Sequence, residues 1–133
     1  MAIDGSSTFT STIHVVEDDD AVREAMGLVL GAEGYEIRSW PDGEAFLREA
    51  AIGARDLLLL DIDLPGLDGV AVANALRARG QKVRIVLLSG VRGAAFDRAV
   101  RSIRPLLALR KPVAGSFLAH AVRDVCLPPG LSA

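Results

Sequence analysis

The sequence predicts an α/β domain in which five parallel strands form one sheet, doubly wound by five helices. Three observations lead there. Strand-like apolar runs alternate with amphipathic helical stretches along the chain. Leu57–Leu60 is a block of leucines without polar alternation, which suits a strand covered on both faces. At 133 residues the chain has the length of one domain, and on the order of two thirds of its unfolded surface can be buried. Right-handed crossovers then put helices on both faces of the sheet.

Each element has its own signal. Residues 1–11 are rich in Ser, Thr and Gly and read as a loose leader. Thr12–Val16 is a β-favouring run ending in acids. From Asp20 onward Val22, Met26, Val29 and Leu30 fall on one helical face, Asp19 or Asp20 can cap the start, and Gly34 closes it. Tyr35–Trp40 is strand-like, Pro41-Asp42-Gly43 is a turn, and Ala45–Ala50 is a short helix. Leu57–Leu60 runs into Asp61, and Pro65-Gly66 and Asp68-Gly69 punctuate a loop. Val70–Arg79 is helical and stops at Gly80; Val83–Leu88 is a strand followed by Ser89-Gly90. Phe96, Ala99, Val100 and Ile103 mark one face of a helix. Leu106–Leu109 is the fifth strand, ending at Arg110-Lys111-Pro112. A last helix is expected to bury Phe117, Leu118, Ala121, Val122 and Val125 before Pro128-Pro129-Gly130 stops it. The domain is therefore expected over 12–127, with 128–133 as a tail or the start of a linker.

Composition removes several classes. Hydrophobic residues make up 50% of the chain, which excludes disorder, and 13 Gly with 6 Pro exclude a collagen-like chain. A net charge of −2 and a pI of 5.6 argue against a free-standing nucleic-acid binder. The single cysteine, Cys126, cannot close an internal disulfide, so a reducing compartment is expected. The first basic residue is Arg23, so there is no cationic signal-peptide start, and no apolar run nears the roughly 18 residues of a membrane helix. A cytoplasmic domain follows, with no membrane and no direct nucleic-acid contact.

In doubly wound sheets the functional crevice lies at the carboxyl ends of the strands. There the first strand delivers Glu17 and Asp18, the third Asp61 with Asp63 two residues on, the fourth Ser89, and the fifth Lys111. Like carboxylates brought that close need a compensating charge. A hard divalent cation bound by oxygens is one compensator, and Mg²⁺ leaves room for waters and phosphate oxygens. Lys111, one of two lysines in an Arg-rich chain, is the other, a compact point charge for phosphate. An oxygen nucleophile, an ammonium, a hydroxyl and a metal cluster are the parts of phosphoryl transfer onto a carboxylate.

In order, VVEDD at 15–19, LLLLDIDLPGLDG at 57–69, LLSG at 87–90 and RKP at 110–112 resemble the receiver (CheY-like) domain of two-component response regulators. The resemblance covers about residues 12–126. Its most specific parts are the D-x-x-x-P-x-x-D-G pattern from Asp61 to Gly69 and the spacing from Ser89 to Lys111. It implies a flavodoxin-like sheet with strand order 2-1-3-4-5. By the same resemblance Asp61 is the phosphoacceptor and Asp18 the direct Mg²⁺ ligand (Mn²⁺ being the alternative ion). Glu17 acts on the metal, Asp63 offers its backbone carbonyl, Ser89 hydrogen-bonds a phosphoryl oxygen, and Lys111 pairs with the phosphoryl group across a cis bond to Pro112. Expected partners are a sensor histidine kinase or phosphotransfer protein, and a downstream protein or missing output domain. A homodimer through the fourth helix, fifth strand and fifth helix is also implied.

Two departures stand out. Glu17 is one methylene longer than the Asp common in the family. Ala108 occupies the switch position, three before the lysine, where the family usually carries an aromatic ring. Two alternatives follow: a degenerate receiver that binds proteins unphosphorylated, and a phosphatase resembling the haloacid dehalogenase family, whose D-x-D pair Asp61 and Asp63 mimic. Against the phosphatase, the nucleophile strand comes third here rather than first, and no acid pair follows the lysine. Elsewhere, His14 reads as a satisfied core or interface histidine, His120 as a mid-helix residue rather than a metal ligand, Cys126 as a partly buried small apolar residue, and Trp40 as a packed residue near the strand ends.

Overall fold

A computed structural model describes residues 12–126. The leader and the tail expected at 1–11 and 128–133 lie outside the described residues. The elements, in order, are β1 (Thr12–Val16), α1 (Asp20–Ala32), β2 (Glu36–Trp40), α2 (Gly43–Glu49), β3 (Leu57–Asp61), α3 (Gly69–Ala78), β4 (Arg84–Ser89), α4 (Gly93–Ile103), β5 (Leu107–Arg110) and α5 (Gly115–Cys126). All strand pairs are parallel, and the sheet order is β2-β1-β3-β4-β5. The expected architecture and order are both present.

The two-residue period of the strands divides the core. Ile13, Val15, Leu57, Leu59, Val86, Leu88 and Leu109 face α1 and α5, meeting Met26, Leu30, Leu118 and Val122. Val16, Leu58, Leu60, Ile85 and Leu87 face α2, α3 and α4, meeting Phe46, Val72, Leu76 and Ile103. β3 lies in the middle of the sheet and is buried along its whole length, so all four leucines have an apolar layer to enter.

Carboxylates start three of the helices. Asp19, Asp42 and Asp68 accept from the backbone N–H of Val22, Ala45 and Ala71 at 3.0, 2.7 and 2.9 Å. Capping by Asp42 starts α2 at Gly43, two residues before the expected Ala45, and Asp68 starts α3 at Gly69.

Phe117 is the clear correction to the expected core: it is 60% exposed. The buried face of α5 runs through Leu118, Ala121, Val122 and Cys126, and Phe117 sits about 100° around the helix from Leu118. Val125 is half-buried, as are Phe96 and Val100 on α4, whose core contacts come mainly from Ala99 and Ile103.

Candidate phosphoacceptor site

The strand ends assemble as expected. Asp61 closes β3 and is 1% exposed. Its Oδ1 accepts the Asp63 backbone N–H at 3.0 Å and its Oδ2 accepts from Lys111 Nζ at 2.9 Å. β5 carries Lys111 there: Ser89 pairs with Arg110 in register, the Lys111 N–H donates to the Ser89 carbonyl at 2.9 Å, and the following bond to Pro112 is cis.

Glu17 directly follows β1 and is fully buried. Its backbone N–H donates to the Trp40 carbonyl at 3.2 Å and its Oε2 accepts the Asp19 N–H at 3.1 Å. Lys111 Nζ stands 3.0 Å from Oε1, yet that oxygen receives no properly directed hydrogen bond. The ammonium therefore supplies charge while a lone pair of Glu17 is left over. Burial pushes the Glu17 carboxyl up, the Asp61 charge adds to the rise, and the Asp19 amide and Lys111 offset part of it. For Lys111 burial acts downward, and the carboxylates of Asp61 and Glu17 outweigh it, so its pKa is raised.

Oxygens of Glu17, Asp18 and Asp61 lie within 4.8 Å of one another, with Asp18 exposed. Three hard oxygen donors, one of them buried without a hydrogen bond, fit a hard divalent cation. Asp63 is exposed at the rim, where its Oδ2 lies 3.4 Å from the Gly90 N–H.

Ser89 is brought to the same edge but is otherwise engaged. Its hydroxyl donates to the Val91 carbonyl at 3.2 Å and accepts the Val91 N–H at 3.0 Å, closing a small turn after β4. Gly69 is required by close approach: a Cβ there would lie 2.6 Å from the Asp61 carbonyl oxygen. Ala108 is half-buried in the same apolar layer as Phe96, whose ring carries the Arg110 guanidinium 5.5 Å from its centroid.

Two contributors were not singled out from the sequence. Arg23 Nη1 donates to the Glu17 carbonyl at 2.9 Å while Nη2 holds Asp20 at 2.6 Å, so Lys111 is not the sole cation among these acids. Spacing on a helix beginning at Asp20 carries that signal, since Asp20 and Arg23 are i and i+3. Asp56 is the other, and it satisfies the buried His14. The His14 Nε2–H faces Asp56 Oδ2 at 3.1 Å, and Nδ1 accepts the Trp40 indole N–H at 3.3 Å, which assigns the tautomer. Asp56 Oδ2 also takes the Gly53 N–H at 2.8 Å. No local sequence signal pairs residues 14 and 56.

Residues 13–123 match the response regulator receiver domain family. This chain belongs to that family. The receiver domain is 35% identical over 130 residues to the tetrathionate response regulatory protein TtrR of Salmonella typhimurium, covering 88% of this chain and 63% of TtrR. It is 40% identical over 121 residues to the transcriptional regulatory protein CseB of Streptomyces coelicolor, covering 83% and 47%. The chain thus spans about half to two thirds of the length of these two relatives. Among solved structures, the response regulator TrrA of Thermotoga maritima, in complex with Mg²⁺ and BeF, superposes with a TM-score of 0.73 at 30% identity, covering 86% of this chain and 98% of that one. Vibrio cholerae CheY4 superposes with a TM-score of 0.77 at 21% identity, covering 87% and 98%. The receiver domain is thus a module of two-component signalling, with the acidic pocket at which its family binds Mg²⁺. Among the described residues no helix is long and apolar enough to cross a membrane.

Proposed function

We propose that Asp61 accepts a phosphoryl group from the phosphohistidine of a sensor kinase or phosphotransfer protein, or from a small phosphodonor. The observation that carries this reading is the buried Asp61 carboxylate, held 2.9 Å from Lys111 within an acid cluster. A carboxylate oxygen bonds to phosphorus as the phosphorus–nitrogen bond breaks, and the electron pair leaves on the imidazole. The Asp63 amide holds Oδ1 and so fixes the carboxylate plane for attack. Lys111 follows the charge from the carboxylate onto the phosphoryl oxygens. Asp18, Asp61 and Glu17, with the Asp63 carbonyl, would hold Mg²⁺, which when bound neutralises those oxygens. Attack by water later returns the free carboxylate.

The Ser89 turn is the movable part. Its hydroxyl exchanges the Val91 carbonyl for a phosphoryl oxygen, which releases the loop into α4. Because Ala108 has no rotamer to report that change, the readout passes through the loop and α4 as a population shift. It is delivered to a downstream protein or to an output domain, as in the longer regulators this chain resembles.

The test is incubation of the full chain with acetyl phosphate and Mg²⁺, followed by intact mass. The wild type gains one phosphoryl group and Asp61→Ala gains none. No gain in the wild type, and no effect of beryllofluoride on Trp40 fluorescence, would favour an unphosphorylated binding module. Steady release of phosphate from small esters would favour a phosphatase.

A further inference from the structure

β2 stands at the end of the order β2-β1-β3-β4-β5, so among the described residues only β1 pairs with it and its far side is an open sheet edge. The Trp40 carbonyl accepts the Glu17 N–H at 3.2 Å and so points toward β1. Backbone groups alternate in direction along a strand. Glu36 and Arg38 therefore point their backbone inward as Trp40 does, and the N–H and C=O of Ile37 and Ser39 point outward. No hydrogen bond is made to those four outward groups among the described residues.

An open edge is a template for a further strand, and charged side chains commonly guard it. Here the guard carries both signs, because Glu36 and Arg38 lie on one face of the strand. Both are exposed, and neither forms an ion pair among the described residues. Their register partners in β1 are Thr12 and the buried His14, which Asp56 and Trp40 already engage.

We propose that two copies of this chain associate by antiparallel pairing of their β2 edges, about a two-fold axis at Ile37. Ile37 faces Ile37 of the second copy, and the two exchange N–H···O bonds. Glu36 of each copy then lies opposite Arg38 of the other, at the closely spaced position where opposite charges attract across strands. Ile37 is half-buried on the α1 side of the sheet, and the pairing covers it.

Neighbouring registers fail. An axis at Arg38 sets arginine against arginine, and an axis at Glu36 sets glutamate against glutamate. An axis at Ser39 sets Glu36 against Asp42, and Ile37 against Pro41, which has no N–H to give. At the opposite edge β5 reads LALR, so no two-fold register within it pairs opposite charges. A foreign strand could use the same backbone groups, but the match of Glu36 with Arg38 is a match of the strand with itself. The many acids of residues 1–76 repel between copies, yet beyond about 8 Å that repulsion is largely screened at ~0.15 M salt, and the facing pairs decide.

The pairing uses no residue of the acid cluster, so failure of Asp61 labelling leaves it standing. The test is sedimentation equilibrium of the full chain at ~0.15 M salt. The wild type is expected to show a reversible monomer–dimer equilibrium. Arg38→Glu and Glu36→Arg each weaken it by about tenfold or more, because each sets like charges across the axis. Mixed in equal amounts, the two single variants associate with each other at wild-type affinity, since both ion pairs are restored. The exchange Glu36→Arg/Arg38→Glu restores the homodimer in the same way. A variant that had merely lost its fold would not be rescued by mixing, and circular dichroism of each stays at the wild-type value. The proposal is overturned if the wild type is monomeric up to about 1 mM, or if mixing and the exchange fail to restore association. A dimer that both single variants leave intact lies on another face and overturns it as well.

Discussion

Lys111 and Asp61, fifty residues apart, meet at 2.9 Å between Nζ and Oδ2 at the carboxyl edge of the sheet. Parallel pairing of β3 with β4 and of β4 with β5 brings them there. The ammonium is half-buried, so its charge acts on the Asp61 carboxylate with less screening than at an open surface.

Lys111→Ala is therefore expected to slow acetyl-phosphate labelling of Asp61 by about 100-fold or more, the scale for losing one preorganised donor to a transition-state oxyanion. Intact-mass time courses measure it. Labelling at the wild-type rate would show that the charge pairing has no part in the transfer.

Glu17→Gln should stabilise the metal-free protein while removing its response to Mg²⁺. The pKa of Glu17 is raised, chiefly by burial, so the folded state binds its proton more tightly than the unfolded chain does. The sign follows: this contribution to stability is full below the ordinary value of 4.5 and is lost as pH rises through the higher folded value. At neutral pH the amide removes a buried charge and can still accept from the Asp19 N–H. We expect a Tm gain of about 3–5 °C, equivalent to about 1 kcal/mol. Thermal melts with and without Mg²⁺ read both effects.

At Gly69 the fold itself meets the site. Gly69→Ala would place a methyl 2.6 Å from the Asp61 carbonyl oxygen and 3.0 Å from Ile62 Cα, both backbone atoms that cannot swing aside. A loss of about 1–3 kcal/mol is expected, as for other overpacked positions. Labelling of Asp61 should slow as well, because the end of β3 is displaced. Urea unfolding gives the first quantity and intact mass the second.

His14→Leu should remove a partner from two groups at once, the buried Asp56 carboxylate, which keeps the Gly53 N–H, and the half-buried Trp40 indole N–H. Unsatisfied buried polar groups cost about 1–3 kcal/mol, more when charged. The only tryptophan is itself one of the partners, so its emission should change along with the urea midpoint. An unchanged spectrum and midpoint would mean that the His14 contacts contribute nothing.

Much of the domain was legible in one dimension because its signals are local. The leucine block at 57–60 announced a strand buried on both faces, and the Asp caps with their following apolar stripes announced helices. The four motifs at the strand ends gave the acid cluster, since a parallel α/β sheet exposes its functional groups at the carboxyl edge. Phe117 was misplaced because an apolar residue one step off the buried stripe looks the same in sequence as one within it. The net charge of −2 says nothing of its distribution, because summing over the whole chain cancels 15 acidic and 4 basic side chains in residues 1–76 against 1 acidic and 10 basic in residues 77–111.

By itself, then, the sequence determined the alternation of elements, the family, and the residues gathered at one edge. It also determined the absence of an aromatic ring at position 108, since residue identity is one-dimensional information. Only the tertiary structure decided the pairings between distant residues. It joined His14 to Asp56, turned the Ser89 hydroxyl toward Val91, brought Arg23 to the Glu17 carbonyl, and left one buried oxygen of Glu17 without a hydrogen bond. It also laid the acidic and basic parts of the chain on opposite sides of the sheet. These are properties of distance and direction, set when packing of the two apolar layers fixes which chain ends and side chains become neighbours.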